Sequence, residues 1–169
     1  NHIGHHHWWL RDLPSDDWIS HRNTFKPTNH ARTTVSDPYA SVADREAFTS
    51  GWFAPSMPDL NAKNPKVAKY LIQNAIWWVE YAGLAGIRVD TYGYSDKAFI
   101  NEWVRRILQE YPRLGIVGEE WTDNPAVQSY WSRGKKQADG FRSHLPSVMD
   151  FVLQGQVLKG FAEPEAWNT

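Results

Sequence analysis

Two short β-branched runs that each close on acidic residues, GIRVDTY at 86–92 and LGIVGEEW at 114–121, constrain this chain most, because each follows a long amphipathic stretch. The first such stretch, NPKVAKYLIQNAIWWVEYAG at 64–83, opens with Asn64 as a cap and Pro65 in the first turn, and stops at Gly83. Its apolar residues Val67, Leu71, Ile72, Ala75, Ile76, Val79 and Ala82 share one helical face. The second, SDKAFINEWVRRILQEYP at 95–112, places Phe99, Ile100, Trp103, Val104, Ile107, Leu108 and Tyr111 together, with Pro112 beyond the end. NPAVQSYWSRG at 124–134 predicts a short helix, LPSVMDFVLQ at 145–154 a third strand, and LQGQVLKGFAE at 153–163 the start of another helix. Helix and strand in strict alternation at this spacing indicate parallel strands joined by helical crossovers.

That pattern leaves a doubly wound sheet or a (β/α)8 barrel. No glycine-rich phosphate loop follows any strand, which removes the main support for a nucleotide-binding sheet. The acidic residues Asp90, Glu119 and Asp150 fall at the C-terminal ends of the strands, the face on which barrel enzymes gather their active sites. The expected fold is therefore α/β, a partial (β/α)8 barrel. Residues 61–169 hold three strand candidates, about half of a barrel, and residues 1–60 a loop-rich segment. The first sixty residues are rich in Pro, Asp, Asn and Ser and show no sustained period. A loop-like segment of that length usually marks a functional insertion.

Composition narrows the function. A net charge of -1 with no basic run argues against a nucleic-acid partner. The absence of cysteine excludes disulfides, thiolate zinc sites and cysteine nucleophiles. No apolar stretch reaches the length of a membrane span. Ten Trp and seven Tyr are many for 169 residues, and flat amphipathic rings suit sugar faces, although the core is the commoner place for a Trp.

Side chains alternate along GIRVDTY, so Arg88 and Asp90 share one face, and the apolar pair Ile87 and Val89 takes the helix-packed side. In LGIVGEEW, Glu119 and Glu120 face opposite ways, and parity alone does not choose between them. Two carboxyls on adjacent strand ends, separated by about 5 Å, suit a retaining glycosidase. Arg88 beside the nucleophile would keep it ionised, while the other, less well paired and near an aromatic, would hold a proton. The pattern equally allows a structural Arg88–Asp90 ion pair beside a solvated pair of glutamates.

GIRVDTY and GIVGEEW, taken together, resemble two signatures of the α-amylase family of glycoside hydrolases, and MPDLN at 57–61 is similar to a third, especially in the neopullulanase-like branch. Asn1-His2 resembles the close of the signature that ends the third strand, so the resemblance implies that residues 1–60 hold the end of strand three plus an inserted loop-rich subdomain, and residues 61–169 strands four, five and six. HHWWLRDLP at 6–14 and LPSVMDFVLQ are similar to the Bacteroidetes-type starch-utilising branch. The resemblance implies Asp90 as nucleophile, Glu119 as general acid/base with Glu120 in the variable middle position, and Arg88, His2 and Trp121 as substrate contacts. It implies an α-glucan or maltooligosaccharide substrate and a periplasmic or extracellular location. No cofactor is required for the chemistry, and calcium is a candidate ligand near Asn1, as in related amylases. Gly93 and Tyr94 stand where many members have Lys and His. The family's third carboxylate has no match before Thr169 and fewer than half the barrel strands are present, so the 169-residue piece on its own is expected to fold poorly and be inactive. A non-catalytic sugar-binding protein on the same barrel is the alternative.

Further candidates are weaker. Tyr92 and Tyr94 line either the cleft or the core. Asp59 serves either the site or as a cap or brace for its loop. The contiguous histidines of GHHHWW point in different directions and are expected to form a loop rather than a metal site. Nothing in the chain indicates an oligomeric state.

Overall fold

The computed structural model describes residues 15–162. In chain order the regular elements are α1 (Val42–Ser50), α2 (Pro65–Ala82), β1 (Gly86–Val89), α3 (Lys97–Glu110), β2 (Gly115–Gly118), α4 (Pro125–Tyr130), β3 (Ser147–Val148) and α5 (Phe151–Ala162). Short 3-10 turns occupy much of the segment before α1 and the turn after β1. The strands form one parallel sheet in the order β1-β2-β3, with Arg88 opposite Val117 and Val89 opposite Gly118. This is the expected pair of β-helix-β crossovers, three strands of a barrel wall.

The local signals read at the ends of α2 are present. Asn64 accepts from the Lys66 amide at 2.9 Å ahead of Pro65, and Gly83 closes α2 in the left-handed conformation with φ of 61°. Asp96 caps α3 through the Phe99 amide at 3.0 Å, and Asn124 caps α4 through the Ala126 amide at 2.9 Å. The face of α3 formed by Ile100, Trp103, Val104 and Ile107 is buried against α2 and the sheet. Trp103 Nε1 also donates to the Leu71 carbonyl at 3.3 Å.

Two expectations require correction. LPSVMDFVLQ contributes only Ser147–Val148 to the sheet, and α5 begins at Phe151. A short apolar run does not distinguish strand from helix. Here Asp150 ends the strand by accepting from the Leu153 amide at 2.8 Å and starting the helix. The segment before Leu60 is not wholly irregular, because Ser41 accepts from the Asp44 amide at 3.0 Å and opens α1. That helix buries only Phe48, so it leaves almost no periodic trace in the sequence.

Segment 15–60 is nonetheless ordered by tertiary contacts. Ile19 bridges Leu60 and Pro27 bridges Trp52, while the Ser20 amide donates to the Asp59 carbonyl at 2.9 Å. Phe48 and Phe53 then pack on Tyr94, at ring-centroid distances of 4.3 and 4.7 Å, and join this segment to the turn after β1. Apolar side chains remain exposed at the flanks of the sheet, as expected of a partial barrel: Trp77, Trp78 and Tyr81 on α2, and Leu153, Leu158 and Phe161 on α5. Among the described residues no helix is long and apolar enough to cross a membrane. Of the described tryptophans, Trp18, Trp52, Trp103 and Trp131 are core, and Trp77, Trp78 and Trp121 are not.

Candidate active site

Backbone pairing continues past β1 and β2 and sets the acidic residues in place. The Glu119 amide donates to the Val89 carbonyl and the Tyr92 amide to the Glu119 carbonyl, each at 2.9 Å. Gly118 faces the buried side of the sheet: a Cβ there would lie 2.7 Å from Leu145 Cδ2 and 2.9 Å from Tyr92 Cγ. Alternation then turns Val117 and Glu119 to the other face, the one shared by Arg88 and Asp90. The ambiguity between the glutamates is thereby resolved, and Glu119 is the one that joins Asp90.

Arg88 bridges the pair. Its Nη2 donates to Glu119 Oε1 at 2.7 Å and its Nη1 to Asp90 Oδ1 at 3.1 Å. Glu119 Oε2 also accepts from the Thr91 amide at 2.9 Å. That amide is turned inward because Thr91 adopts a left-handed conformation, φ 45°, unusual for a β-branched residue. Glu119 is therefore the better-held carboxyl, 13% exposed, while Asp90 is 72% exposed. This reverses the expectation that the presumed nucleophile would be the better paired. The reason is the backbone turn after β1, which brings an N–H to the Glu119 side. A hydrogen bond with Glu119 and the Arg88 guanidinium hold the Asp90 carboxyl below its ordinary range, outweighing its slight burial.

The acid packed near an aromatic is Glu120 instead. It is 3% exposed, with Oε2 accepting from Trp131 Nε1 at 2.9 Å and Oε1 at 3.6 Å from Arg32 Nε. Burial pushes its carboxyl up to about 7, against the Trp131 hydrogen bond and the Arg32 charge, with Glu119 adding to the rise.

A cavity of about 310 Å³ borders these groups and is lined by His30, Arg32, Phe53, Tyr94 and Trp121 together with Asp90, Thr91, Glu119 and Glu120. Trp121 is 68% exposed and stacks on Phe151 at 5.9 Å. Tyr94 is both core and cavity wall, and its hydroxyl lies 3.0 Å from His30 Nδ1. Tyr92 requires correction: it is fully buried, edge-on to Trp131 at 5.3 Å, because the turn after Asp90 rolls its ring over Gly118. A second cavity, about 460 Å³, joins Asp90 and Tyr94 to Asp59. Asp59 is not the cap of α2, a task taken by Asn64; its Oδ2 accepts from Ser20 Oγ at 2.6 Å, and burial pushes its carboxyl up to about 7 despite that bond.

His2, Asn1 and GHHHWW lie outside the described residues. Among the described residues no group of three or more His, Asp or Glu side chains converges as a metal site. Asp37 and Asp44 serve local turns and caps. His30, Arg32 and Thr91 had no sequence signal, since only the packing of segment 15–60 and the left-handed turn bring them to the acids.

Residues 1–155 match the family described as alpha amylase, catalytic domain. A cyclomaltodextrinase from a Bacillus species is 28% identical over 134 residues, 78% of this chain and 23% of that enzyme. Neopullulanase 2 of Thermoactinomyces vulgaris is 34% identical over 111 residues, 66% of this chain and 17% of that enzyme. This chain therefore spans under a quarter of the length of the curated relatives it matches. The α-amylase of Geobacillus thermoleovorans, solved in complex with acarbose, superposes with a TM-score of 0.65 at 26% identity, covering 90% of this chain and 29% of that one. An Anoxybacillus α-amylase shares the fold with a TM-score of 0.69 at 22% identity, over 96% of this chain and 32% of its own. With its parallel sheet a part of a (β/α)8 barrel, the chain belongs to the α-amylase catalytic-domain family.

Proposed function

We propose that the protein carrying this chain is a retaining glycoside hydrolase that cleaves α-glucosidic bonds in starch-like α-glucans. The observation that carries this reading is the Arg88 bridge, which holds Asp90 and Glu119 together at the ends of adjacent parallel strands. One guanidinium spanning two carboxyls keeps them at short range, as in retaining enzymes, where the separation is about 5 Å. Asp90, exposed and held anionic, attacks the anomeric carbon while Glu119 gives its proton to the departing glycosidic oxygen. A covalent glycosyl–Asp90 ester results. Glu119 then takes a proton from water, which attacks the same carbon and frees Asp90. Arg88 orients both acids, Trp121 and Tyr94 shape the cleft, and His2 is read as a sugar contact. Relatives named cyclomaltodextrinase and neopullulanase support α-glucans as the substrate class.

The test is to trap the intermediate in the intact protein with a fluorinated α-glucosyl fluoride and map the labelled peptide by mass spectrometry. A stoichiometric adduct on Asp90 is expected. Turnover of maltooligosaccharides with no adduct, or with an adduct elsewhere, would overturn the assignment. Binding without turnover would indicate a sugar-binding protein on the same fold.

A further inference from the structure

Glu120 takes no part in the chemistry above, yet it is buried directly behind Glu119. Burying a carboxyl costs free energy unless its partners hold it. Here they are the Trp131 indole N–H at 2.9 Å and the Arg32 guanidinium, Nε at 3.6 Å. The space for this carboxyl exists because residue 93 is glycine; a Cβ there would lie 2.1 Å from Glu120 Oε2. Arg32 lies over the Tyr94 ring, with Cζ 5.6 Å from the centroid. Its Nε is buried without a hydrogen-bond partner among the described residues, although the side chain as a whole is 35% exposed.

Arg32 reaches this position from segment 15–60, and it lines the cavity that also contains Asp90, Glu119, His30, Tyr94 and Trp121. A guanidinium has five donors in a fixed fork. Here it is steered by one carboxylate and one aromatic face, and is not consumed by a bidentate partner. The cavity is small but within the range of ligand pockets. Of the two cavities that border Asp90, only this one also borders Glu119, the group that protonates the leaving oxygen, so a sugar on its Glu119 side is joined to the cleaved bond through that oxygen.

The geometry points to Arg32 as a specificity-determining residue that hydrogen-bonds the hydroxyls of the sugar on the leaving-group side, with Glu120 as the positioning residue that holds its guanidinium over Tyr94. This rests on the assignment of Asp90 and Glu119 above.

The experiment compares kcat and KM of the intact wild-type protein, Arg32→Met, Arg32→Lys and Glu120→Gln on two substrates, maltotetraose and α-maltotriosyl fluoride. The fluoride has no leaving-side sugar. For Arg32→Met, kcat/KM on maltotetraose relative to the fluoride is expected to fall by about tenfold, the loss of one charge-assisted hydrogen bond. The loss should reside in KM, with the pH profile of kcat unchanged. Arg32→Lys, which keeps the charge without the fork, is expected to fall part of the way with wild-type melting. Glu120→Gln should shift the ratio in the same direction. An unchanged ratio, an equal loss on both substrates, or a loss in kcat with an altered pH profile would overturn the proposal. Failure of the wild type to turn over either substrate would instead overturn the Asp90–Glu119 assignment, and this proposal with it.

Discussion

Gly93 and Glu120 compete for one space: a Cβ on residue 93 would lie 2.1 Å from Glu120 Oε2 and 3.3 Å from Trp131 Nε1. The glycine is needed here for close approach and not for an unusual backbone. Gly93→Ala is therefore expected to cost about 2 kcal/mol of stability, as overpacking at a buried site does. Urea melts of the intact protein measure it. Combining it with Glu120→Ala should cost less than the two single changes added, because the shorter side chain vacates the contested space.

Arg88 donates to both Asp90 and Glu119, so its replacement should impair chemistry more than folding. Glu119→Gln is expected to reduce kcat on maltooligosaccharides by roughly 10²–10⁴-fold. The loss in kcat/KM on α-glucosyl fluoride should be smaller, because fluoride leaves with little need of a proton. Asp90→Asn should abolish turnover of both. Arg88→Lys should lower kcat with a melting temperature near that of wild type, since its partners are reached by two separate arms of the guanidinium fork. Steady-state kinetics beside thermal melts distinguishes these outcomes.

Burial raises the carboxyls of Glu120 and Asp59 from 4.5 and 3.8 to about 7. The folded state then binds more protons than the unfolded chain across that window. Their contribution to stability is fully present below the ordinary carboxylate range and is lost as pH rises toward about 7. Glu120→Gln and Asp59→Asn should each flatten the fall in urea midpoint over this interval. A pH dependence identical to wild type in both variants would show that neither acid is raised.

Trp121 presents most of its ring to solvent at the cavity edge and rests on Phe151. Trp121→Ala is expected to weaken binding of maltooligosaccharides by about 1 kcal/mol, a typical aromatic contact. Stability should change little. Calorimetric titration against a thermal melt separates the two effects.

The helices α2, α3 and α4 were legible because caps and apolar period are local: Asn64, Asp96 and Asn124 act within three residues of themselves. The face of Arg88 and Asp90 was legible too, since alternation within one strand needs no partner. The family followed from motif residues that stand close together in the chain. Other features were decided only by segments distant in sequence. Gly118 had to meet Leu145 and Tyr92 before Glu119 could be turned to Asp90 and Glu120 to Trp131. Tyr92 went to the core, and α1 formed around a single buried Phe48. Arg32 and His30 reached the acids only when segment 15–60 packed on Tyr94. Sequence by itself determined which side chains each element presents; the tertiary structure decided which carboxyl is paired, which is buried and what stands beside it, because charge and desolvation depend on neighbours that only long-range packing supplies.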